Sequence, residues 1–390
     1  MSGVRVAMFS DSYTPYVSGV VRSILLLKRE LERMGHEVTV FAPDYPGVSP
    51  EEDRAAHVIR LPSLPAPTQP DFHVPIPWAP GITRRLRRLE VEVVHSHSPF
   101  VAGGVAAAAA RRLGLPLVFT YHTRYDLYTH YAPIDGPLTR RVVAEWATFY
   151  ANSADQVIAP SPSLARWLRE QGVTAPVRVI PGGIDLEALG AGDPEWLRRR
   201  LGLDPAARIV LYAGRLGQEK NLDLLFRAFE RVAEARPAAH LALAGDGTER
   251  RRLEAWAARP PLAGRVHFLG TLAPEELRHA YHGATCLAFP SSSETQGLVL
   301  AEAMGAGLPP VAVAAPASRD TVRDGVDGLL VPPDSDEALA AAILRLLDDP
   351  RLRALLASEA RRRAEAFSAR RTSEQVLAAY EAALASALRL

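Results

Sequence analysis

The sequence predicts an α/β protein made of two Rossmann-like, doubly wound domains that face each other across a cleft. One observation is length: 390 residues exceed the size at which a single hydrophobic core stops growing, so two domains are expected. Another is the repeated alternation of short apolar runs with helical patterns, because strand–helix–strand units form parallel sheets with right-handed crossovers. The alternation breaks once, at residues 180–191, and then begins again.

The first series of elements predicts an amino-terminal domain over residues 1–185. An apolar run at 4–9 is followed by a turn and by a helical pattern at 20–34, which Gly35 ends because glycine tolerates the left-handed cap conformation. The remaining predicted elements are strands at 37–42, 91–95, 117–121 and 157–159 and helices at 101–113 and 164–171.

The second series predicts a carboxy-terminal domain over residues 186–367. It begins after P-G-G-I-D and G-A-G-D-P, a composition typical of an exposed connection between domains. Its strand patterns read R-I-V-L-Y-A-G, H-L-A-L-A-G, R-V-H-F-L-G, T-C-L-A-F-P and P-V-A-V. The last segment, 368–390, is an Ala-rich helical pattern, which we expect to pack back on the first domain.

Composition excludes several classes of protein. Hydrophobic residues make up 48% of the chain and charged residues 23%, with a net charge of +1, which is typical of a globular protein rather than a disordered or nucleic-acid-coating one. The single cysteine, Cys286, lies in an apolar run, so we expect it to be buried and the compartment to be reducing. No stretch approaches the ~20 apolar residues that a membrane-spanning helix needs. The expected location is the cytoplasm.

The stretch P-S-S-S-E-T-Q-G-L-V-L-A-E-A-M-G is the most informative part of the second domain. It places Glu294 in a Ser-rich turn, Gly297 at the start of a helix and Glu302 inside that helix. Backbone N–H groups at a helix start bind anions, so a diphosphate could lie at Gly297, Leu298 and Val299. Glu294 would then accept hydrogen bonds from sugar hydroxyls and Glu302 from a ribose. The pattern alone equally fits a core helix whose glutamates face water.

Two cations follow the strand that opens the second domain, in L-Y-A-G-R-L-G-Q-E-K-N-L. Arg215 and Lys220 lie beyond the carboxyl end of that strand, where they could neutralise a departing diphosphate. Lys220 is one of two lysines among 45 basic residues, which makes its position informative, although solvated loop charges are the alternative. Gly19, after the first strand, could let backbone approach a phosphate or sugar, but many turns hold a glycine without that role.

The segment T-Y-H-T-R-Y-D-L-Y-T-H-Y follows a strand of the first domain and is rich in aromatic and imidazole side chains. Such a cluster in a loop suits an acceptor or sugar site better than a packing element. Its candidates are His122, Tyr125, Tyr128, His130 and Tyr131.

Two short patterns superficially resemble metal sites. H-S-H-S at 95–98 has no third ligand at a suitable spacing, so we interpret it as a strand-end turn. Asp334, Ser335 and Asp336 directly precede a helical run, where Asp and Ser serve as N-caps. We therefore expect no metal and no prosthetic group.

A basic amphipathic helix follows a Pro-rich segment that contains Trp78. Helices of this kind rest on anionic membrane surfaces, so we predict peripheral association with the inner face of the cell membrane. A solvated helix face is the alternative. The sequence I-T-R-R-L-R-R-L-E supplies its four arginines, Arg84, Arg85, Arg87 and Arg88.

These motifs resemble the family 4 retaining glycosyltransferases, which have the two-domain GT-B architecture, and the resemblance runs from Val4 to the final helix. The family's E-x7-E pattern matches at Glu294 and Glu302. G-R-L-G-Q-E-K-N, which starts at Gly214, is similar to the family's phosphate-binding motif. The resemblance implies that Arg215 and Lys220 are catalytic cations and that Gly214 binds the donor.

The resemblance also assigns roles elsewhere. It implies that Gly19 lies near the donor, that His122 is the active-site histidine and that Asp246, in A-G-D-G-T-E, is on the donor side. Glu294 joins His122 and the two cations in the implied catalytic set. The implied reaction is front-face attack, in which the departing phosphate helps to deprotonate the acceptor.

The acceptor is implied by two more specific resemblances. The aromatic segment is similar to bacterial diacylglycerol glucosyltransferases, and the Pro-rich stretch with its Arg helix resembles phosphatidylinositol mannosyltransferases. Together they imply transfer of a hexose, with UDP-glucose favoured, to a lipid such as diacylglycerol on an anionic membrane surface, without nucleic acid. GDP-mannose-dependent mannosyl transfer and a soluble sugar or sugar-phosphate acceptor are the alternatives.

Other functions fit the residues less well. A glycosidase needs two carboxylates about 5–10 Å apart across the bond, whereas the cations and the helix start favour nucleotide binding. A phosphorylase needs a lysine for pyridoxal phosphate, and neither Lys28 nor Lys220 suits that role. A protein that binds a sugar nucleotide without catalysing transfer is a further alternative.

Overall fold

The computed structural model describes residues 3–66, 69–77, 79–127 and 136–387. The chain forms two compact units. The first joins the described residues up to Gly183 to those from Ala369 onward, and the second is Ile184–Ser368. Each contains a parallel sheet with helices, so the predicted α/β class is confirmed.

The strands of the first unit are, within its described residues, β1 Arg5–Phe9, β2 Glu37–Pro43, β3 Val58–Leu61, β4 Ser63–Ala66, β5 Gln69–Pro75, β6 Val93–Ser96, β7 Leu117–Thr120, β8 Gln156–Ala159 and β9 Val177–Val179. Seven of them form a parallel sheet in the order β3-β2-β1-β6-β7-β8-β9, and β4 and β5 form an antiparallel pair. The helices that follow them are α1 Gly19–Arg33, α2 Pro50–Ala55, α3 Ile82–Arg88, α4 Val101–Leu113, α5 Pro137–Asn152 and α6 Pro162–Glu170.

Helix α1 shows how local chemistry sets these boundaries. The Ser18 side chain accepts a hydrogen bond from the backbone N–H of Val21 at 3.2 Å, which satisfies one of the free donors at the helix start. Gly35, with φ of 87°, follows the last turn in the left-handed conformation that glycine adopts without strain. The helix therefore begins and ends within a residue of the predicted limits.

The strands of the second unit, all of which the structure describes, are β10 Arg208–Ala213, β11 Ala239–Ala244, β12 Val266–Gly270, β13 Cys286–Phe289, β14 Pro310–Val313 and β15 Leu329–Val331. These six strands form a parallel sheet in the order β12-β11-β10-β13-β14-β15. The helices are α7 Trp196–Leu201, α8 Leu222–Ala235, α9 Arg250–Ala257, α10 Pro274–Gly283, α11 Leu298–Gly305, α12 Pro316–Thr321, α13 Asp336–Asp348 and α14 Pro350–Ala364.

The last helix, α15 Ala369–Ala387, belongs to the first unit. Its buried side chains Val376, Tyr380 and Ala383 share one apolar cluster with Met8 of β1 and Ile24 of α1. The first unit is thus built from both ends of the chain.

Ser335 and Cys286 are found as the sequence predicted. Ser335 caps α13, because its side chain accepts from the N–H of Ala338 at 3.1 Å, and Cys286 is fully buried. Among the described residues, no helix is both long and apolar enough to cross a bilayer. The sequence patterns did not predict the β4-β5 pair, the edge strands β3, β9 and β15, or the helices α2, α5, α7 and α14.

Candidate active site

The donor-side candidates of the second unit lie where its strand order reverses. β10 and β13 are neighbours although two strands separate them in sequence, and open α/β sheets bind ligands beyond the carboxyl ends of strands at such a point. Arg215 and Lys220 follow β10, and Glu294 and Gly297 follow β13. The topology therefore collects motifs that are about eighty residues apart in the chain.

Lys220 and Glu294 form a direct ion pair. Lys220 Nζ lies 2.6 Å from Glu294 Oε1, and the two side chains are 14% and 22% exposed. Ser291 Oγ also donates to Glu294 Oε1 at 3.2 Å, and Ser293 Oγ donates to the carbonyl of Glu219 at 3.0 Å. The sequence predicted both charged residues in one site, but it did not predict that they contact each other.

Gly297 is the N-cap of α11 and has φ of 77°, in the left-handed region where glycine is favoured. No side chain within the fully described second unit caps this helix. The first N–H groups of α11, at Leu298 and Val299, therefore have the geometry of an anion site. This is the helix start that the sequence predicted.

Glu302, in α11, is 6% exposed and accepts a hydrogen bond from Tyr281 Oη at 2.9 Å. The alternative interpretation, in which both glutamates face water, is therefore wrong for Glu302. The contact fixes the orientation of its carboxylate.

The loops after β10 and β11 contact each other backbone to backbone. Gly214 and Gly245 have φ of 146° and 147°, and a Cβ added to Gly245 would lie 1.9 Å from the Gly214 carbonyl oxygen. Tyr212 Oη donates to the carbonyl of half-buried Arg215 at 2.8 Å. Packing therefore requires glycine at Gly245, and the positive φ favours glycine at Gly214.

Asp246 follows Gly245 and lies at the surface of this loop pair. Its Oδ2 accepts from Arg250 Nη1 at 2.7 Å, and its side chain is 50% exposed. The structure thus pairs Asp246 with a cation of α9.

In the first unit, two histidines at adjacent strand ends contact each other. His97 follows β6 and His122 follows β7, and Nδ1 of His97 lies 2.9 Å from Nε2 of His122. The ring of His95 lies 4.0 Å from that of His97, and His95 contacts Tyr380 Oη at 2.6 Å and Thr120 Oγ1 at 2.7 Å. The H-S-H-S segment ends strand β6, as predicted. The sequence analysis assigned no role to its second histidine, His97, which contacts the candidate residue His122.

These histidines are neutral at pH 7. Desolvation by the surrounding protein lowers the pKa of His122 to about 4 and that of His95 to about 3, and burial also lowers the pKa of His97 well below its usual value. His122 can therefore offer a hydrogen bond to a ligand but not a positive charge.

Asp11 lies in the loop after β1, and Gly19 is the first residue of the helix α1 that follows this loop. A Cβ added to Gly19 would meet no atom within 4 Å, so packing does not require glycine at this exposed helix start. Asp11, which the sequence analysis missed, is buried, accepts from the N–H of Ala102 at 2.8 Å and from Ser98 Oγ, and has its pKa raised by burial. The sequence feature that could have identified Asp11 is its position in D-S-Y, just after a strand.

The predicted acceptor-side residues are only partly described. Tyr125 lies in a 3-10 turn at Tyr125–Leu127, and its ring centroid is 5.0 Å from that of Phe100 and 5.4 Å from that of Tyr121. Tyr128, His130 and Tyr131, like Trp78, lie outside the described residues.

The basic helix predicted at the surface is α3. Its four arginines, Arg84, Arg85, Arg87 and Arg88, are exposed, while Leu86 is buried on the opposite face. The amphipathic pattern is therefore present, with the charges directed to solvent.

Helix α5 carries an exposed apolar face that the sequence analysis did not identify. Its members recur at spacings of four, four and three residues, which places them on one side of a helix. We call them the α5 stripe: Leu138, Val142, Trp146 and Phe149, exposed by 74%, 55%, 45% and 67%. Large apolar side chains grouped in this way mark an interaction surface.

Within the described part of the chain, no three His, Cys, Asp or Glu side chains are grouped so that they could hold a metal ion.

Two family models together match most of the chain. One, described as Glycosyltransferase Family 4, matches residues 17–188, and another, described as Glycosyl transferases group 1, matches residues 194–363. The Alpha-monoglucosyldiacylglycerol synthase of Streptococcus pneumoniae is 31% identical over 349 residues, covering 88% of this chain and 78% of the relative. The chain belongs to glycosyltransferase family 4.

Two further proteins resemble this family 4 chain. The GDP-mannose-dependent alpha-mannosyltransferase of Mycobacterium tuberculosis is 33% identical over 365 residues, and the match covers 92% of this chain and 92% of the relative. Among solved structures, Anabaena HepE in complex with UDP has a TM-score of 0.78 at 23% identity, covering 97% of this chain and 100% of that one. The predicted GT-B fold and the predicted enzyme class are confirmed, and the protein is a glycosyltransferase.

Proposed function

We propose that this family 4 glycosyltransferase is a retaining enzyme that moves a hexose, glucose from UDP-glucose in the favoured case, to a hydroxyl of a membrane lipid such as diacylglycerol. The observation that carries the donor part is the Lys220–Glu294 pair at the strand-order reversal of the second unit. A lysine that contacts a sugar-binding carboxylate while facing a diphosphate can stabilise the charge that develops on the leaving group.

The donor roles follow from the chemistry of each group. Arg215 and Lys220 neutralise the diphosphate, and the free N–H groups at Leu298 and Val299 bind its oxygens. Glu294 accepts from sugar hydroxyls as ionised carboxylates do. Gly214 and Asp246 line the adjoining loops, and Glu302 accepts from the ribose. Gly19 leaves room for the donor in the first unit.

In the proposed reaction, the bond between the anomeric carbon and the diphosphate oxygen breaks. A bond from that carbon to the acceptor oxygen forms on the same face, and the acceptor proton passes to the departing phosphate oxygen. Neither glutamate of the motif serves as a nucleophile in this reaction; Glu294 pairs with Lys220, and Glu302 accepts a hydrogen bond from Tyr281. His122 contributes a hydrogen bond to a substrate oxygen.

The lipid acceptor is supported by two surfaces of the first unit and by a relative. The α5 stripe offers Trp and Phe side chains, which favour the boundary between lipid and water. The exposed arginines of α3 suit anionic headgroups. The name of the S. pneumoniae relative specifies a diacylglycerol product class, whereas that of the M. tuberculosis relative specifies GDP-mannose, which is the second candidate donor.

Turnover assays test the donor and the acceptor together. UDP-glucose or GDP-mannose is incubated with vesicles of phosphatidylglycerol, phosphatidylcholine and dioleoylglycerol, and nucleotide release is measured with and without dioleoylglycerol. We expect UDP release that requires dioleoylglycerol and a glycolipid with the α-anomeric configuration of the donor. GDP release with the same lipid would establish the second candidate. Turnover only with soluble sugar phosphates, or donor binding without turnover, would contradict the proposal.

Vesicle binding tests the membrane surfaces. Replacing the four α3 arginines by glutamine removes about 1 kcal/mol of attraction for each residue near an anionic surface, and we expect at least about tenfold weaker binding. Leu138→Gln, Val142→Ser and Phe149→Gln, combined, are expected to act similarly on α5, because they remove apolar area that would enter the bilayer. The measurement is co-sedimentation with phosphatidylglycerol vesicles.

Leu355→Gln is the matched control, because Leu355 is 61% exposed on α14 of the second unit. It should leave vesicle binding unchanged. If the α3 and α5 variants bind as the wild type does, the membrane part of the proposal is wrong. If the α5 variant changes only the oligomeric state, the stripe binds a second copy of the chain instead.

A further inference from the structure

His97 lies between two other histidines and is 2% exposed. One ring nitrogen, Nδ1, contacts Nε2 of His122 at 2.9 Å. The other, Nε2, is buried and has no hydrogen-bond partner among the described residues. The two nitrogens of His97 are therefore in opposite situations, and this asymmetry determines where the protons lie.

Two neutral imidazoles in contact share one hydrogen bond, so there are two possible arrangements. In one, His97 Nδ1–H donates to His122 Nε2, and His122 carries its own proton on Nδ1. In the other, His122 Nε2–H donates to His97 Nδ1, and His97 must carry its proton on Nε2. The hydrogen bond between the two rings thus couples the tautomer of His122 to the state of the buried Nε2 of His97.

At His97, the first arrangement costs less free energy. It leaves a lone pair at the buried Nε2 of His97, whereas the second leaves an N–H donor there without an acceptor. Orphaned buried N–H groups are rarer in folded proteins than acceptors that lack a donor, because an unpaired donor loses its hydrogen bonds to water without replacement.

The surroundings hold His97 in this position. The His95 ring lies 4.0 Å away, and it is itself held by Tyr380 and Thr120. Thr120 ends β7, two residues before His122, so one rigid strand end carries both contacts. Rotation of the His97 ring would break its contact with His122 within a packed environment.

We propose that His97 is a positioning residue that holds His122 as the tautomer protonated at Nδ1. His122 then meets a substrate oxygen as a hydrogen-bond donor and is not the base that accepts the acceptor's proton. This inference rests on the proposed function in so far as His122 contacts the substrate. It agrees with a reaction in which the departing phosphate takes that proton.

Two amide variants separate this role from packing. The asparagine amide in His97→Asn occupies the position of Nδ1 and can still donate to His122, whereas the glutamine amide in His97→Gln reaches the position of Nε2 and cannot. The asparagine and glutamine side chains differ by one methylene group. Thermal unfolding of both variants, measured first, reports any general loss of structure.

The tautomer itself is read by NMR on protein labelled with 15N in its histidine rings, where protonated and unprotonated nitrogens resonate at different frequencies. His122→Gln assigns the signal by its loss. We expect His122 to be protonated at Nδ1 in the wild type and in His97→Asn, and to show a mixture of tautomers in His97→Gln. Protonation at Nε2 in the wild type, or no change in His97→Gln, would overturn the inference without any use of substrate.

Turnover with UDP-glucose and dioleoylglycerol vesicles supplies the second readout. We expect kcat of His97→Gln to fall on the order of 10–100-fold, with the donor KM little changed, and His97→Asn to recover most of it, because small displacements of a substrate-contacting group cost rate. Equal losses of kcat in His97→Gln and His97→Asn would show that His97 acts only through packing. If His122→Ala keeps full kcat while the tautomer shift is observed, the assignment of His122 fails instead.

Discussion

Replacing Lys220 with methionine is expected to lower kcat/KM by about 10²–10³-fold, the loss found when one preorganised charge-stabilising group is removed. Methionine keeps much of the side-chain length and removes the cation that we propose stabilises the leaving diphosphate. It also leaves Glu294, which is only 22% exposed, without the partner that lies 2.6 Å away. The measurement is initial-rate kinetics with the donor varied, accompanied by thermal unfolding to account for stability.

Glu294→Gln and the double variant complete this test. Because the two side chains contact each other, we expect the effects of Lys220→Met and Glu294→Gln on kcat/KM to be strongly non-additive. Arg252→Met is the control, since Arg252 pairs with Asp223 and Glu249 on exposed surface of the same unit. Additive effects, or a comparable loss in the control, would show that the pair does not act as one unit in catalysis.

Glu302→Gln is expected to weaken binding of the nucleoside diphosphate by about 10–100-fold. Hydrogen bonds to charged groups contribute about 1.5–3 kcal/mol, and every 1.4 kcal/mol is about tenfold in affinity. Because a ribose contact is made equally in the ground state and the transition state, kcat at saturating donor should change little. Calorimetric titration with UDP and with GDP measures the effect.

Tyr281→Phe is the matched variant for this prediction. It removes the hydroxyl that lies 2.9 Å from Glu302 but leaves the carboxylate. We expect a smaller loss of affinity, since only the orientation of the carboxylate is disturbed. If both variants lose affinity equally, Glu302 serves the packing of α10 against α11 and not the ribose.

The regular part of the fold was predictable because it depends on local chemistry. α1 begins at the Ser18 cap and is followed by Gly35, and both signals are visible in the sequence. The start of α11 at Gly297 was predictable for the same reason. Alternation of apolar runs with helical patterns gave the α/β class without any knowledge of strand order.

Contacts between motifs were not predictable, because they depend on which strands are neighbours. Lys220 and Glu294 touch because β13 pairs with β10, and an apolar run does not specify its partner strand. The same reason applies to His97 and His122, which lie after adjacent strands β6 and β7. Spacing along the chain excluded a metal site at H-S-H-S but gave no sign of the contact with His122.

The α5 stripe shows a different limit. Helical periodicity identifies an apolar face but does not show whether other elements cover it, and on α5 the small residues Ala147 and Ala151 are buried while Trp146 and Phe149 are exposed. The helix packs through Ala147, Tyr150 and Ala151, and only this packing shows that Trp146 and Phe149 face outward.

The position of α15 has a consequence for the order in which the protein can fold during synthesis. The second unit is one continuous segment, Ile184–Ser368, and all of it is translated before α15. The core of the first unit includes Met8 and Ile24 but also Tyr380 of α15. Domains usually fold in order from the amino terminus during synthesis, but here the first unit cannot complete its core until the whole second unit has been translated. Until α15 is available, the apolar surface that it will cover stays open to chaperones and to other nascent chains.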